Sequence, residues 1–368
     1  MLRRIGVTHV VSPLSSFFSS VASARRLQMT AVSASQAREH ADAPGAVEMN
    51  FLQAINSALD LALSKDEKTV VFGEDVAFGG VFRCTLNLSK KYGSQRVFDS
   101  PLSEQGLVGF AIGMASAGWK PIAEVQFADY IFPAFDQIVN EAAKMRFRSG
   151  GHFHCGGLVI RSPSSAVGHG GLYHSQSVEG FFNHCAGIKI VMPSTPSDAK
   201  GLLLQCVEEE DPCIFFEPKR LYRSMVEPVD PGYYTIPLGK GKILCEGRDV
   251  TIVTYGAQVG VAMKAAERAA QEGISVELID LRSLKPWDRE MVTQSVRKTG
   301  RVIVTHEAPK TSGIGSEIVS CITQDCFLSL EAPPMRVCCL DTPHPLNEQL
   351  YLPNELKVYE AIKFITGY

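Results

Sequence analysis

The chain has 368 residues, 45% of them apolar, and a net charge of −3. That length holds two hydrophobic cores. No apolar run reaches the roughly 18 residues of a membrane span, and a mildly acidic body argues against a nucleic-acid partner.

The first 38 residues carry five arginines (Arg3, Arg4, Arg25, Arg26, Arg38), eight serines and no acid. This is the composition of an organelle transit peptide. The ten cysteines contain no Cys-x-x-Cys pair and mostly sit in apolar company. They are expected as reduced, buried thiols, which suits a matrix compartment.

Folding should begin near Met49, where MNFLQAINSALDLALSKD has apolar residues at helical spacing and Asn50 as cap. TVVFGED predicts a short strand ending in solvated acids, and KYGSQRVFDSP a turn and second strand. SPLSEQG then opens a helix capped by Ser103, and the residues after Glu104 are small and apolar for a full dozen, including Gly106, Gly109 and Gly113. Such small residues cost helix propensity and predict close packing against a second helix or backbone. PIAEVQFADY predicts a strand, FPAFDQIVNEAAKMRFRSG an amphipathic helix, and LVIRSPSS another strand before the Gly- and His-rich loop AVGHGGLYHSQS. A short helix at SVEGFFNHCAG, a strand at IKIVMPSTP and a helix capped by Ser197 follow. Residues 217–245, rich in Pro, Gly and Tyr, read as a linker. DVTIVTYG, AQVGVAMKAAERAAQEG, ISVELIDLRSLKPWD and GRVIVTHEAP then repeat the strand–helix alternation. The expected fold class is α/β, in two domains, each a mostly parallel sheet flanked by helices.

Glu104 is the notable residue. A first-turn glutamate can serve only the helix dipole. Here the apolar run behind it predicts shielding from water, and a desolvated carboxylate needs a partner such as a protonatable ring nitrogen. His169 and His174 lie in a glycine-rich loop of the kind that carries function, and histidine suits proton transfer near neutrality. His306 and Glu307 in VTHEAP lack zinc-protease spacing, and no metal is expected there.

GEDV (73–76), SPLSEQG (100–106), EVQFADYIFPAFDQIVNEAAK (124–144), GHGGLYHSQS (168–177) and DVTIVTYG with LIDLRSLKPWD together resemble one family. It is that of the beta subunits of thiamine-diphosphate-dependent 2-oxo acid dehydrogenases, and the likeness is nearest to the branched-chain members. It runs from about residue 47 to 368. It implies a transketolase-like plan: a transit peptide and leader over 1–46, a pyrimidine-binding domain over 47–228, a linker over 229–245 and a transketolase C-terminal-type domain over 246–368.

The resemblance also implies roles. Glu104 would bond N1′ of the aminopyrimidine and favour the imino tautomer that takes the thiazolium C2 proton. Tyr130 and the backbone of Leu102 would lie against that ring, with Phe127 as packing. His174 would help acyl transfer to the lipoyl group, His169 would only order the loop, and Ser175 and Gln176 would bond neighbours. A structural potassium ion would rest on carbonyls of Gly156, Leu158, Val159, Cys206, Glu209 and Asp211, although relatives more often carry Thr, Asp and Asn at 159, 209 and 211.

Enzymes of this kind hold magnesium on the diphosphate with a Gly-Asp-Gly motif, and this chain has none. It also lacks a P-loop and a well-placed G-x-G-x-x-G, which disfavours a nicotinamide oxidoreductase. The expectation is therefore a cofactor shared with an alpha subunit in an α2β2 heterotetramer. That assembly would sit in the mitochondrial matrix, dock to a lipoyl-bearing acyltransferase core and act on branched-chain 2-oxo acids. The alternatives are a pyruvate dehydrogenase beta subunit and a non-catalytic scaffold of the same fold.

Overall fold

The computed structural model describes residues 45–368, so the expected leader lies outside the described residues except for its last two positions. In chain order the first half runs β1 (Val47–Asn50), α1 (Phe51–Lys65), β2 (Thr69–Gly73), β3 (Val97–Asp99), α2 (Glu104–Ser116), β4 (Lys120–Glu124), β5 (Val159–Ser164), α3 (Glu179–Asn183), β6 (Lys189–Val191), α4 (Pro196–Glu208), β7 (Cys213–Pro218) and β8 (Val226–Val229). The second half runs β9 (Lys242–Cys245), β10 (Val250–Thr254), α5 (Gln258–Gln271), β11 (Val276–Asp280), β12 (Ser283–Lys285), α6 (Arg289–Thr299), β13 (Val302–Pro309), α7 (Ile314–Cys326), β14 (Met335–Cys339) and α8 (Glu355–Thr366).

Two sheets organise these elements. The larger has the order β12-β6-β7-β5-β4-β2-β3, parallel except for β12. The smaller has the order β14-β13-β10-β11-β9, parallel except for β9. The β2, β5 and β7 strands are buried at every position. That is what helices on both faces of a parallel sheet produce. The sequence of β12 belongs to the second half, yet it pairs antiparallel with β6 and completes the first sheet. All ten cysteines are free, and all but Cys338 are buried.

Local chemistry explains the element starts. The Asn50 side chain accepts from Gln53 N while Gln53 Oε1 accepts from Asn50 N, both at 2.9 Å, a reciprocal cap for α1. Such a cap contributes about 1 kcal/mol. Ser103 caps α2 as expected, accepting from Gly106 N.

Three expectations are corrected. The cap of α4 is Thr195, because Pro196 fills its first turn; Ser197 instead donates its hydroxyl to Glu227 at 2.6 Å. The stretch predicted as one amphipathic helix is broken: a 3₁₀ turn at Phe132–Ala134 leads into π turns at Gln137–Ala142. Pro133 removes a donor from the first turn. At the other end Ala143 N reaches back five residues to Ile138 O, where the Ala143 carbonyl abuts Gly187. The residues 217–245, read as linker, include the end of β7, all of β8, which pairs with β1, and the edge strand β9. Pro and Gly there mark edges and turns rather than slack chain.

The halves meet through buried polar groups. Tyr255 donates to Glu179 Oε1 at 2.8 Å, and its ring stacks on His306 at 5.9 Å. His306 is buried and neutral: Nδ1 meets Ala308 O at 3.1 Å while Nε2 accepts from Gly315 N at 3.2 Å. Both ring nitrogens are thus occupied by backbone groups. Burial pushes the Glu179 carboxyl up to about 7, with Tyr255 pulling the other way. A carboxyl raised in the folded state keeps a proton that the unfolded chain has lost, so its contribution falls as pH rises from about 4.5 to 7. Glu179→Gln is therefore expected to gain stability relative to the parent across that window, by up to about 3 kcal/mol, and then to level off. Thermal midpoints of both proteins from pH 5 to 8 would check this; a constant difference would contradict it.

Candidate functional site

Three residues singled out from sequence, and Glu74 with them, leave the same edge of the larger sheet. Glu74 follows β2, Glu104 opens the helix after β3, Tyr130 follows β4 and His174 lies in the loop after β5. The strands β3, β2, β4 and β5 are consecutive neighbours, so their carboxyl ends form one rim. Rims of this kind are where open α/β sheets bind ligands.

Two carboxylates on this rim exchange their expected environments. Glu104 is only half-buried, and its carboxylate hydrogen-bonds no other group among the described residues. Glu74, read as a solvated strand end, is 6% exposed, and its Oε1 has no hydrogen-bond partner among the described residues. A Cβ on Gly73 would run into the Glu124 carbonyl, so β2 lies tight against β4 in the step before Glu74. Asp75 then turns outward with φ 58° and is exposed. Burial first, then the charge of Glu104, pushes the Glu74 carboxyl above its ordinary range. Glu74 is the site residue that sequence reasoning missed; strand patterning does not reveal that the residue one step beyond a strand is still covered.

The helix α2 buries Leu107, Val108, Ala111, Ile112 and Ala115. Its glycines are on the other side. Gly113 has open space around its Cα, and Gly109 meets only Gln137. Close packing of these glycines was expected, but among the described residues the face stays open. Beside it Leu102 is 82% exposed and Phe110 is also exposed.

Tyr130 and His174 do come together. The His174 ring meets Phe127 edge-on at 4.7 Å and Tyr130 at 5.6 Å; Phe127 in turn packs on Phe82 at 5.4 Å. Tyr130 is 38% exposed, so its ring closes the cluster on the open side. Asp129 ties the two loops, accepting Gln176 N at 3.0 Å. His169 is exposed.

Beneath the rim lies a buried ion triad. Arg161 holds Glu217 in a two-pronged contact at 2.7 and 3.0 Å and Glu124 at 2.7 Å; Tyr222 donates to Glu217 at 2.6 Å. Glu124 and Arg161 face each other across β4 and β5.

The six carbonyl positions expected around an ion lie on two chain segments held side by side. Gly157 N donates to Glu209 O at 2.8 Å and Cys213 N to Leu158 O at 2.9 Å, while Glu209 N reaches Cys206 O at 3.4 Å. Gly156 packs against Glu210, and Asp211 pairs with Arg146 at 3.3 Å. Val159 opens β5 and is fully buried. The Glu209 side chain turns away to Lys189 and Gln205.

Comparison with known proteins places these features. Residues 47–225 match the family described as transketolase, pyrimidine binding domain, and residues 239–358 match transketolase, C-terminal domain. The chain is 62% identical over 318 residues to the mitochondrial 2-oxoisovalerate dehydrogenase subunit beta of Dictyostelium discoideum, covering 86% of each chain. It is 57% identical over 321 residues to mitochondrial subunit beta 2 of Arabidopsis thaliana, covering 87% of this chain and 90% of that one. It is 44% identical over 320 residues to the Bacillus subtilis subunit beta, covering 86% and 98%. Among solved structures, a split-gene transketolase described as an inactive beta4 tetramer matches with a TM-score of 0.68 at 22% identity, covering 87% of this chain and 98% of that one. At that identity the match speaks for the fold alone.

Proposed function

This chain belongs to the family of 2-oxoisovalerate dehydrogenase beta subunits, and from that premise we propose how its residues serve the reaction. It is the beta subunit of a thiamine-diphosphate-dependent branched-chain 2-oxo acid dehydrogenase. That component oxidatively decarboxylates branched-chain 2-oxo acids and acylates lipoamide, a step in branched-chain amino acid catabolism. It works with an alpha subunit, and its relatives indicate a mitochondrial location. We infer that it resides in the matrix, assembles as an α2β2 heterotetramer and docks to a lipoyl-bearing acyltransferase core. Residues 47–228 form the pyrimidine-binding domain, a connector runs from the end of β8 to β9, the C-terminal domain begins with β9 at Lys242 rather than at residue 246, and residues 1–46 are a cleaved leader.

The observation that carries the site assignment is the gathering of Glu74, Glu104, Tyr130 and His174 on one sheet rim. The residues fit an aromatic, hydrogen-bonding ring. Among the described residues Glu74 has a buried oxygen with no hydrogen-bond partner and Glu104 a carboxylate with none, and Leu102 and Tyr130 present apolar surface on the same edge. When bound, thiamine diphosphate supplies the electron sink for decarboxylation. Glu104 holds the proton at the pyrimidine nitrogen, and Leu102 and Tyr130 fix the plane of the ring. His174, backed by Phe127, handles the proton during acyl transfer. The open glycine face of α2, with Leu102 and Phe110, meets the alpha subunit, which closes the half-buried Glu104 from water. The alpha subunit also carries the magnesium ion, a reading supported by the missing Gly-Asp-Gly motif.

The carbonyls of Gly156, Leu158, Val159, Cys206, Glu209 and Asp211 hold a potassium ion. Three of them accept one backbone bond each and keep a second lone pair. Backbone oxygen suits a hard cation whatever the side chain, so the departures at Val159, Glu209 and Asp211 do not remove the ligands.

Substrate range tests the reading. With the alpha subunit, turnover of 3-methyl-2-oxobutanoate is expected to exceed that of pyruvate in kcat/KM by at least about 10-fold, the discrimination a buried methyl group supports. A pyruvate preference would favour the pyruvate dehydrogenase alternative.

A further inference from the structure

The loop that carries His174 is held by the other half of the chain. Glu348 lies beyond β14, in the segment before α8, and is 4% exposed. Its Oε2 accepts Gly168 N at 2.7 Å, and its Oε1 accepts Val167 N at 3.3 Å and the Ser175 hydroxyl at 3.2 Å. Arg220 approaches Oε2 at 3.3 Å and supplies the countercharge. Next to it Glu307 accepts Ala166 N at 3.3 Å. Two carboxylates of the second half therefore receive three successive amides of the first.

The loop is shaped so that one carboxylate can reach both of its ends. Gly168 has φ +119° and Gly171 has φ +61°, values that L side chains rarely adopt. A Cβ on Gly170 would collide with the Ser175 hydroxyl and the His174 carbonyl, so the loop doubles back on itself. This brings Val167 and Gly168 beside Ser175. Glu348 closes that neck, and the residue adjacent to the neck is His174. Charged acceptors on backbone N–H groups make short, strong hydrogen bonds. With Ser175 and Glu348 both buried, this clamp is protected from competing water.

We propose that Glu348 is a positioning residue for the reaction: it clamps the neck of the 165–177 loop and thereby fixes His174 against Phe127 and Tyr130. The proposal rests on the reading of His174 as an acyl-transfer residue. It assigns to the C-terminal half a direct part in setting the active-site geometry.

The test uses the enzyme assembled with its alpha subunit and two readouts: decarboxylation with an artificial electron acceptor, and acylation of a lipoyl domain. Glu348→Ala is expected to lower lipoyl-domain acylation by up to about 100-fold, the cost of an ångström-scale misplacement. Decarboxylation with the artificial acceptor should change far less. Glu348→Gln keeps one acceptor oxygen and should fall between, and it serves as the readable variant if the alanine form does not assemble. Ser175→Ala removes one clamp contact from the loop side and should reproduce part of the loss. The deciding comparison is a double-mutant cycle. In a His174→Ala background, Glu348→Gln should cost nothing further. Additive losses, or equal losses in both readouts, would overturn the clamp and leave a merely structural role. If His174→Ala itself leaves acylation unchanged, it is the reading of His174 that fails, and the clamp with it.

Discussion

Glu104→Gln is expected to lower overall turnover by about 10²- to 10⁴-fold, the usual contribution of a positioned acid or base. The substitution keeps size and shape but cannot carry the proton. Folding should be untouched, because the Glu104 carboxylate is half-buried and makes no hydrogen bond that stability depends on among the described residues. A second effect follows at Glu74. Its carboxyl is pushed up first by burial and next by the charge of Glu104, so removing that charge should let it move back toward the ordinary range. The apoprotein should therefore be as stable as the parent or slightly more so. Steady-state kinetics of the assembled enzyme, cofactor titration and thermal midpoints separate these outcomes. Turnover within a factor of a few of the parent would remove Glu104 from the mechanism and revive the scaffold alternative.

The largest stability effect is expected at Arg161. Arg161→Met leaves Glu124 and Glu217 both buried without their shared cation. Removing one member of a buried ion group typically costs about 3–5 kcal/mol. Burial already pushes the Glu124 carboxyl up, and Arg161 is the main force against that. Without the guanidinium, Glu124 would retain its proton over a wider range in the folded state. The deficit of the variant should therefore shrink toward acid pH and widen above neutrality. Adding Glu124→Gln and Glu217→Gln should restore much of the loss, because no unpaired charge remains. Chemical unfolding at several pH values would show this; a pH-independent deficit would mean that lost packing, not charge, governs.

How much of this was legible in the sequence follows from the range of the forces involved. The helix at Phe51–Lys65 and its Asn50 cap, the Ser103 cap and most strands of both sheets are set by neighbours a few residues apart, and pattern reading found them. The elements after residue 310 were not read. Their apolar residues are interspersed with Cys, Thr, Pro and Arg, and the faces of α7 and α8 are explained by distant partners, α6, β13 and β14 for α7 and α5 and β14 for α8. The fate of Pro- and Gly-rich residues 217–245 also depends on distant partners, since β8 forms only because β1 is there to receive it.

The site divides in the same way. Motifs marked Glu104, Tyr130 and His174, and the fold places them on one rim. The local sequence could not show that Glu74 is the covered carboxylate, because tertiary packing rather than strand patterning buries it. Nor could it show that Glu348, 173 positions from Ser175, reaches that loop.

The antiparallel strand Ser283–Lys285, borrowed by the larger sheet from the second half, has a further meaning. The first half does not own one of its two outer strands, so the halves are not interchangeable modules. A transplanted C-terminal portion would seat correctly only if it brought a matching selvage for Lys189–Val191; otherwise the host would be left with a raw hem open to stray chains.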